Sequence, residues 1–260
     1  MTEVIATVEH ASQWARRGTM PEASWNPVYR ALADDSAPTP PPPSPGIPDD
    51  ASLELVRRQL ATLALLVVAV TDGQQTRRLR IGLDPAAATV EEAAADQASR
   101  WSEISTQKIP ARIIQLLEES GVEPAPAQLR IERGTTALRL TPAQSRTAHG
   151  ALLRGLAPEQ AFAAIPDLDD ALRDALTATG PRISLSLTLH DPSGRATERP
   201  VAWSRLWVAG QKGLYRLDQP SSPAVGVHPV GGGDVLGTLL PLLEEGLRFA
   251  GACAGSGSAR

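Results

Sequence analysis

Cysteine is almost missing from this chain: Cys253 is the only one in 260 residues. A single cysteine rules out an intrachain disulfide and fits a reducing compartment. It sits in Gly251-Ala-Cys-Ala-Gly-Ser-Gly-Ser, a stretch too shapeless to orient a nucleophile. Lysine is scarce as well. Only Lys108 and Lys212 occur, so nearly all positive charge is carried by arginine. The formal net charge of −4 excludes the strongly basic surface of a nucleic-acid binder. No apolar run exceeds the eight residues from Leu63 to Val70. A membrane span needs about twenty, so this run reads as a buried strand and no membrane insertion is expected. The first residues carry no basic segment ahead of an apolar stretch, so no signal peptide is expected and the location reads as cytoplasmic. Aromatics make up 3% of the chain, and five of them are Trp.

What is present is ordinary globular material with 42% hydrophobic and 21% charged residues, enough to bury a core. The most informative pattern is an internal echo. Leu63 to Thr71 reads LALLVVAVT, followed by Asp72-Gly73-Gln74 and Thr76-Arg77-Arg78-Leu79-Arg80-Ile81. Ile183 to His190 reads ISLSLTLH, followed by Asp191-Pro192-Ser193-Gly194-Arg195 and a return through Val201-Ala202-Trp203. Each is an apolar strand, a polar turn and an Arg-containing return. Each precedes a helix with a Leu pair followed by a Glu pair, at Leu116-Leu117-Glu118-Glu119 and Leu242-Leu243-Glu244-Glu245. Asp72 and Asp191 are 119 positions apart, and Glu118 and Glu244 are 126 apart. A nearly constant offset predicts two similar α+β halves that pack into one sheet.

Along the chain, Thr2 to Trp14 is expected to be helical, with a docking segment near Trp25 to Leu32. Ala37 to Pro48 is proline-rich, which removes backbone donors and fixes φ, so it reads as a polyproline-like linker. Asp50-Ala-Ser52 caps a helix from Leu53 to Leu60. Asp72-Gly73 is a hairpin turn signal. The Ala/Glu-rich stretch from Ala86 to Ala98 reads as loop plus helix, and Ile109 to Glu119 as helix stopped by Gly121. Strands are expected at Gln128 to Glu132 and Ala137 to Leu140. Thr141-Pro142 starts a helix to Arg154, and further helices cover Gln160 to Ala164 and Asp167 to Leu176. The alternation Ile183, Leu185, Leu187, Leu189 marks a half-exposed strand. Strands then follow at Val201 to Val208, with Trp203 and Trp207 on one face, at Gly213 to Leu217, and at Ala224 to Val230. A helix runs from Gly231-Gly-Gly-Asp234 to Phe249. The domain reading is 1–36 as a short N-terminal segment, 37–50 as linker, 51–250 as one α/β domain of two halves (about 51–140 and 141–250), and 251–260 as a disordered tail.

Chemistry is hard to find. The four His, at 10, 149, 190 and 228, share no metal-ligand spacing. Asp167, Asp169 and Asp170 sit where a helix begins, and negative charge there complements the dipole. Glu118-Glu119 and Glu244-Glu245 read as solvated faces. Val230-Gly-Gly-Gly-Asp-Val follows a strand and opens a helix, the setting of an anion loop, but it lacks the residues of a P-loop or a dinucleotide fingerprint. No GxSxG, HExxH or CxxC occurs. The expectation is a protein that is not an enzyme and uses no cofactor and no metal.

Four stretches resemble the EspG-type chaperones of type VII (ESX) secretion. Leu152-Leu153-Arg154-Gly155-Leu156-Ala157-Pro158-Glu159-Gln160-Ala161 is similar to that family's helix junction. Ile183 to Leu189 with Gly194-Arg195 is similar to its strand and GR turn. Val201-Ala-Trp203 with Gly213-Leu-Tyr215 is similar to its strand pair. His228-Pro229, Asp234 and Leu239 to Leu247 are similar to its closing helix. The likeness covers roughly residues 53 to 247. Ser204-Arg205-Leu206 and Gly213-Leu214-Tyr215 depart from the family's Asp-Thr and Gly-Arg-Tyr, and residues 1–50 match nothing in it. The bias toward Ala, Gly, Pro and Arg also resembles the coding of a GC-rich bacterium such as an actinobacterium. The resemblance implies a pseudo-two-fold central antiparallel sheet flanked by helical bundles. It implies a cytosolic chaperone that holds a helical PE/PPE-like secretion substrate in soluble form.

Binding of that kind needs apolar or aromatic surface with a polar rim. Trp203, Trp207, Leu214 and Tyr215 are the candidate contacts. Trp203 has the competing role of covering a helix layer, whereas Trp207, near a strand end beside Gly210, is expected to be exposed. The alternative function is a small-molecule or anion-binding protein without catalysis, centred on Gly231 to Asp234. A third is an enzyme of unrecognised type, for which no residue pair stands out.

Overall fold

The computed structural model describes residues 2–35, 48–94, 98–126, 137–218 and 226–255. It opens with a strand where the sequence predicts a helix. Strand β1 (Glu3–Ala6) pairs antiparallel with the strand containing Trp101, and its alternate residues Val4 and Ala6 are buried. Thr7 then caps helix α1 (Val8–Arg17), its side chain accepting from the His10 N–H. Helix α2 (Pro27–Asp35) follows. Trp14, Trp25 and Tyr29 are buried together with Trp101, so these first residues are built into the fold. Most of the proline-rich linker, residues 36–47, lies outside the described residues.

Helix α3 (Asp50–Leu60) is capped by Asp49, one residue earlier than expected. The chain then runs as a meander: β2 (Ala64–Asp72), β3 (Gln75–Gly82), β4 (Ala88–Ala94) and β5 (Ser99–Ile104), closed by helix α4 (Ile109–Glu119). β4 corrects the loop-plus-helix expectation for 86–98. Ala and Glu favour helices in isolation, but Ala88 and Val90 are buried in the core and β4 is paired on both sides, to β3 and to β5. Tertiary pairing overrides propensity here.

The second half repeats that order after an added helical pair. Helices α5 (Pro142–Leu153) and α6 (Pro158–Ala163) lead to α7 (Asp170–Leu176), then β6 (Arg182–Leu189), β7 (Val201–Ala209), β8 (Leu214–Leu217), β9 (Val227–Val230) and α8 (Asp234–Gly255). The expected strand at 128–132 lies outside the described residues. Of the expected strand at 137–140, only Leu138 bridges to Val227. Helix α8 continues six residues past Phe249 to Gly255, so half of the tail predicted to be disordered is helical. Residues 256–260 lie outside the described residues.

All nine described strands form one antiparallel sheet, in the order β1-β5-β4-β3-β2-β6-β7-β8-β9. The two meanders meet at β2 and β6. There Val67 stands opposite Ser186, two residues separated by the same 119 positions as Asp72 and Asp191. An antiparallel pair whose spacing equals the repeat offset is what a pseudo-two-fold axis through that pair requires. One face of the sheet packs α4 and α8 on Leu66, Val68, Ile183, Leu185 and Trp207. The other carries two separate bundles. α1–α3 lie over the first half, and α5–α7 lie over Val208, Tyr215 and Val227 of the second. Among the described residues no helix is long and apolar enough to cross a membrane.

Candidate functional site

The four candidate contacts come from β7 and β8 and fall into two pairs. Trp207 is fully buried, at 0% exposure, which overturns the expectation that it faces solvent. Its ring lies in the core under α8, and its indole N–H donates to Asp234 Oδ2 at 2.8 Å. Tyr215 is buried on the opposite face. Its hydroxyl donates to Asp174 Oδ2 at 2.8 Å. Burial first, and then the Asp174 carboxylate, push the Tyr215 pKa up to about 12. Trp203 and Leu214 are half-buried and pack against the α8 core. Arg205 stacks over the Trp203 ring at 5.0 Å. Alternation does put Trp203 and Trp207 on one face. What the sequence cannot show is that β7 is covered on both faces only at its end, near Trp207 and Val208, while Val201 to Leu206 alternates between exposed and half-buried.

The other predicted features are structural. Asp169 caps α7, accepting from the N–H groups of Ala171 and Leu172 at 2.9 and 3.1 Å. Asp170 pairs with Lys212 at 3.2 Å. His228 pairs with Asp218 at 2.9 Å, and His190 lies just past the opposite end of β6, its N–H bound to the Leu63 carbonyl, so the two do not meet. Among the described residues no three metal-ligating side chains cluster. The Gly231 loop does open a helix, but the Asp234 carboxylate occupies its start. Asp234 accepts from Trp207 and, at 2.8 Å, from Arg216. A second anion there would meet that carboxylate at close range.

Two surfaces stand out. The first is the strip of sheet between the helical bundles. On that face Ser184, Ala202, Ser204 and Leu206 are exposed, and Leu206, at 38%, is the large apolar residue among them. The second is the end of α5, where Leu152, Leu153 and Leu156 protrude and Leu153 is 75% exposed. The signal was present in the sequence as three leucines around Gly155, a residue held at φ 83, more than one helix face can bury. A cleft of about 310 Å³ lies under α4. Three of the four arginines that line it are matched by acids: Arg77 with Glu119 at 3.1 Å, Arg100 with Glu3 at 3.1 Å, and Arg112 with Glu92, while the fourth is Arg78.

No family model matches the chain, and no curated protein matches it. A solved structure does. The chain is similar in fold to the type VII secretion system chaperone EspG5 of Mycobacterium tuberculosis, solved in complex with a PE25–PPE41 dimer. The TM-score is 0.51 at 9% identity, covering 96% of this chain and 95% of that one. At that identity the likeness is one of fold.

Proposed function

We propose that this protein is a cytoplasmic chaperone that binds the helical end of a PE/PPE-like secretion substrate and keeps it soluble for export. The observation that carries this reading is the likeness of fold over nearly the whole of both chains to a chaperone solved with its substrate. The surface described above supports it. A strip of sheet left open between two helical bundles, with exposed leucines at the end of α5 in one of those bundles, offers apolar contact. Apolar patches of that kind mark interaction sites. The mechanism is masking: the substrate's apolar tip leaves water on this surface instead of on another substrate molecule. Neither nucleotide nor metal takes part, and no nucleic acid or membrane is a partner.

Half-buried Trp203 and Leu214 pack on the opposite, α8 side of the sheet and are not contacts of this strip, and Trp207 and Tyr215 act from inside by holding β7 and β8. The test is co-expression with the PE/PPE-like pair encoded nearest to this chain's gene, followed by size-exclusion chromatography. A co-eluting complex that Leu153→Asp or Leu206→Asp dissolves supports the reading. A folded, soluble chain that co-elutes with no such pair refutes it.

A further inference from the structure

The open strip carries two arginines, Arg78 and Arg182, that form no ion pair among the described residues. Successive register pairs align Arg78, Ala69, Ser184 and Leu206 in one row across β3, β2, β6 and β7. The neighbouring row aligns Thr76, Thr71, Arg182 and Val208. Directly paired residues of an antiparallel sheet share a face, so Arg78 and Arg182 stand on the bundle side with Ser184 and Leu206. Strand spacing and rise put their Cα atoms roughly 12 Å apart.

Of the arginines that line the cleft under α4, Arg77, Arg100 and Arg112 each have a carboxylate, whereas Arg78, which also borders it, does not. Among the described residues neither Arg78 nor Arg182 forms an ion pair. The acid whose charge acts on Arg78 is Glu91, and Glu91 is already engaged. It accepts from Arg80 at 2.5 Å, Tyr29 at 2.6 Å and Ser99 at 2.8 Å. Arg78 is half-buried, and burial first, then Arg80, lower its pKa. A partly desolvated cation short of an anion is a poor use of surface unless a partner supplies the anion. The residues between them are small: Ala69, Thr71 and Ser184. From β3 to β7 the trough spans three strand spacings, about 14 Å, which admits one helix of about 10–12 Å and not two abreast.

We infer that the trough between the two helical bundles selects an acidic helix end, whose carboxylates or terminal carbonyls meet Arg78 and Arg182 while an apolar side chain rests on Leu206. A helix C-terminus carries partial negative charge, which suits the same pair. The inference rests on the chaperone reading and adds the charge of the partner's tip to it. A nucleic acid is the other polyanion with this charge, but two arginines on a chain of net charge −4 supply too few phosphate contacts.

The test measures affinity by calorimetry for the PE/PPE-like pair encoded nearest to this chain's gene, at about 50 and 300 mM salt. Arg78→Ala and Arg182→Ala are each expected to weaken binding about tenfold or more at low salt, and the double variant is expected to lose most of the salt dependence. Replacing the acidic residues of the partner's tip with Lys should abolish binding to the wild type and restore it to Arg78→Glu. Circular dichroism checks that each variant is folded. A complex that Leu153→Asp breaks but both arginine variants bind as the wild type overturns the charge inference and leaves the chaperone reading standing. A second arm uses two synthetic helical hairpins that differ only in Glu or Lys at the tip. Preference for the Glu hairpin supports the inference even where the natural pair fails to bind. Equal binding of both hairpins, or tighter binding of a single-stranded oligonucleotide, overturns it.

Discussion

Each half of the molecule ties its helical bundle to the sheet through a tyrosine and a carboxylate, but the two are built in opposite senses. In the first half the tyrosine is on a helix and the acid on the sheet: Tyr29 of α2 donates to Glu91 of β4 at 2.6 Å. In the second half Tyr215 of β8 donates to Asp174 of α7 at 2.8 Å. The first tie is fully buried and shared. Glu91 also holds Arg80 and Ser99, and Gln59 of α3 donates to the Tyr29 hydroxyl. The second sits at the rim, where Asp174 also takes the backbone N–H groups of Gln211 and Lys212 and fixes the β7–β8 turn. Burial works to raise the Asp174 pKa, but these hydrogen bonds outweigh it and hold the group below the usual carboxylate range. Similar topology thus leaves open how a bundle is anchored. A buried charge pair makes removal of one member expensive, whereas a rim carboxylate keeps access to water.

That contrast breaks if the ranking of effects is wrong. The largest loss is expected at the buried tie. Glu91→Ala leaves Arg80 without its partner and should cost about 3–5 kcal/mol in urea unfolding followed by circular dichroism. Trp207→Ala should cost a similar about 3–5 kcal/mol, while Trp203→Ala, half-buried at the same face, should cost clearly less. If the two tryptophans prove equal, the burial assigned along β7 is mistaken. Asp174→Ala at the rim should cost about 1–2 kcal/mol, less than Glu91→Ala in the same assay.

The strand-connecting turns give a pH test of the same comparison. The first, at Gly73 with φ 56, needs only glycine's freedom. The second is organised by the Asp191 carboxylate, which accepts from Ala196 N–H, Ser193 Oγ–H and Ser193 N–H at 2.6, 2.6 and 2.9 Å. These bonds, that from Ala196 foremost, lower its pKa from 3.8 to about 2. A depressed carboxylate pKa contributes stability that is present above about pH 4 and lost as pH falls through about 2. Asp191→Asn should flatten that part of an acid titration followed by thermal unfolding, and Asp72→Asn should leave it unchanged. The smallest effect belongs to the exposed Lys212–Asp170 pair. Lys212→Ala should stay within about 0.5 kcal/mol of the wild type, and a larger shift would mean that this rim is more ordered than its exposure implies.

Legibility followed distance along the chain. The β2–β3 and β6–β7 strands were readable because a continuous apolar run in the first, a period-two alternation in the second, and a Gly or Asp turn are local signals. β1 was missed because four residues that read as helix are held as a strand by Trp101 and its neighbours, nearly a hundred positions away. β4 was missed because its Ala and Glu residues favour a helix until Arg80 and Tyr29 surround Glu91. Of the candidate site, the aromatic pairs were found as residues, but which of them lie inside was not visible. The leucines of α5 were read as part of a motif, and their exposure depends on how α5 meets α6.

The sequence by itself determined the order of strands, turns and helices through most of the two halves, and the offset that relates them, because side-chain periodicity and turn chemistry act within a few residues. The tertiary structure alone decided that β2 and β6 meet at the pseudo-two-fold axis. It alone put Trp207 in the interior, and it alone left Arg78 and Arg182 without an ion pair among the described residues. Burial and charge pairing depend on which distant segments arrive, and a strand's alternation says only that it has two faces, not what will cover them.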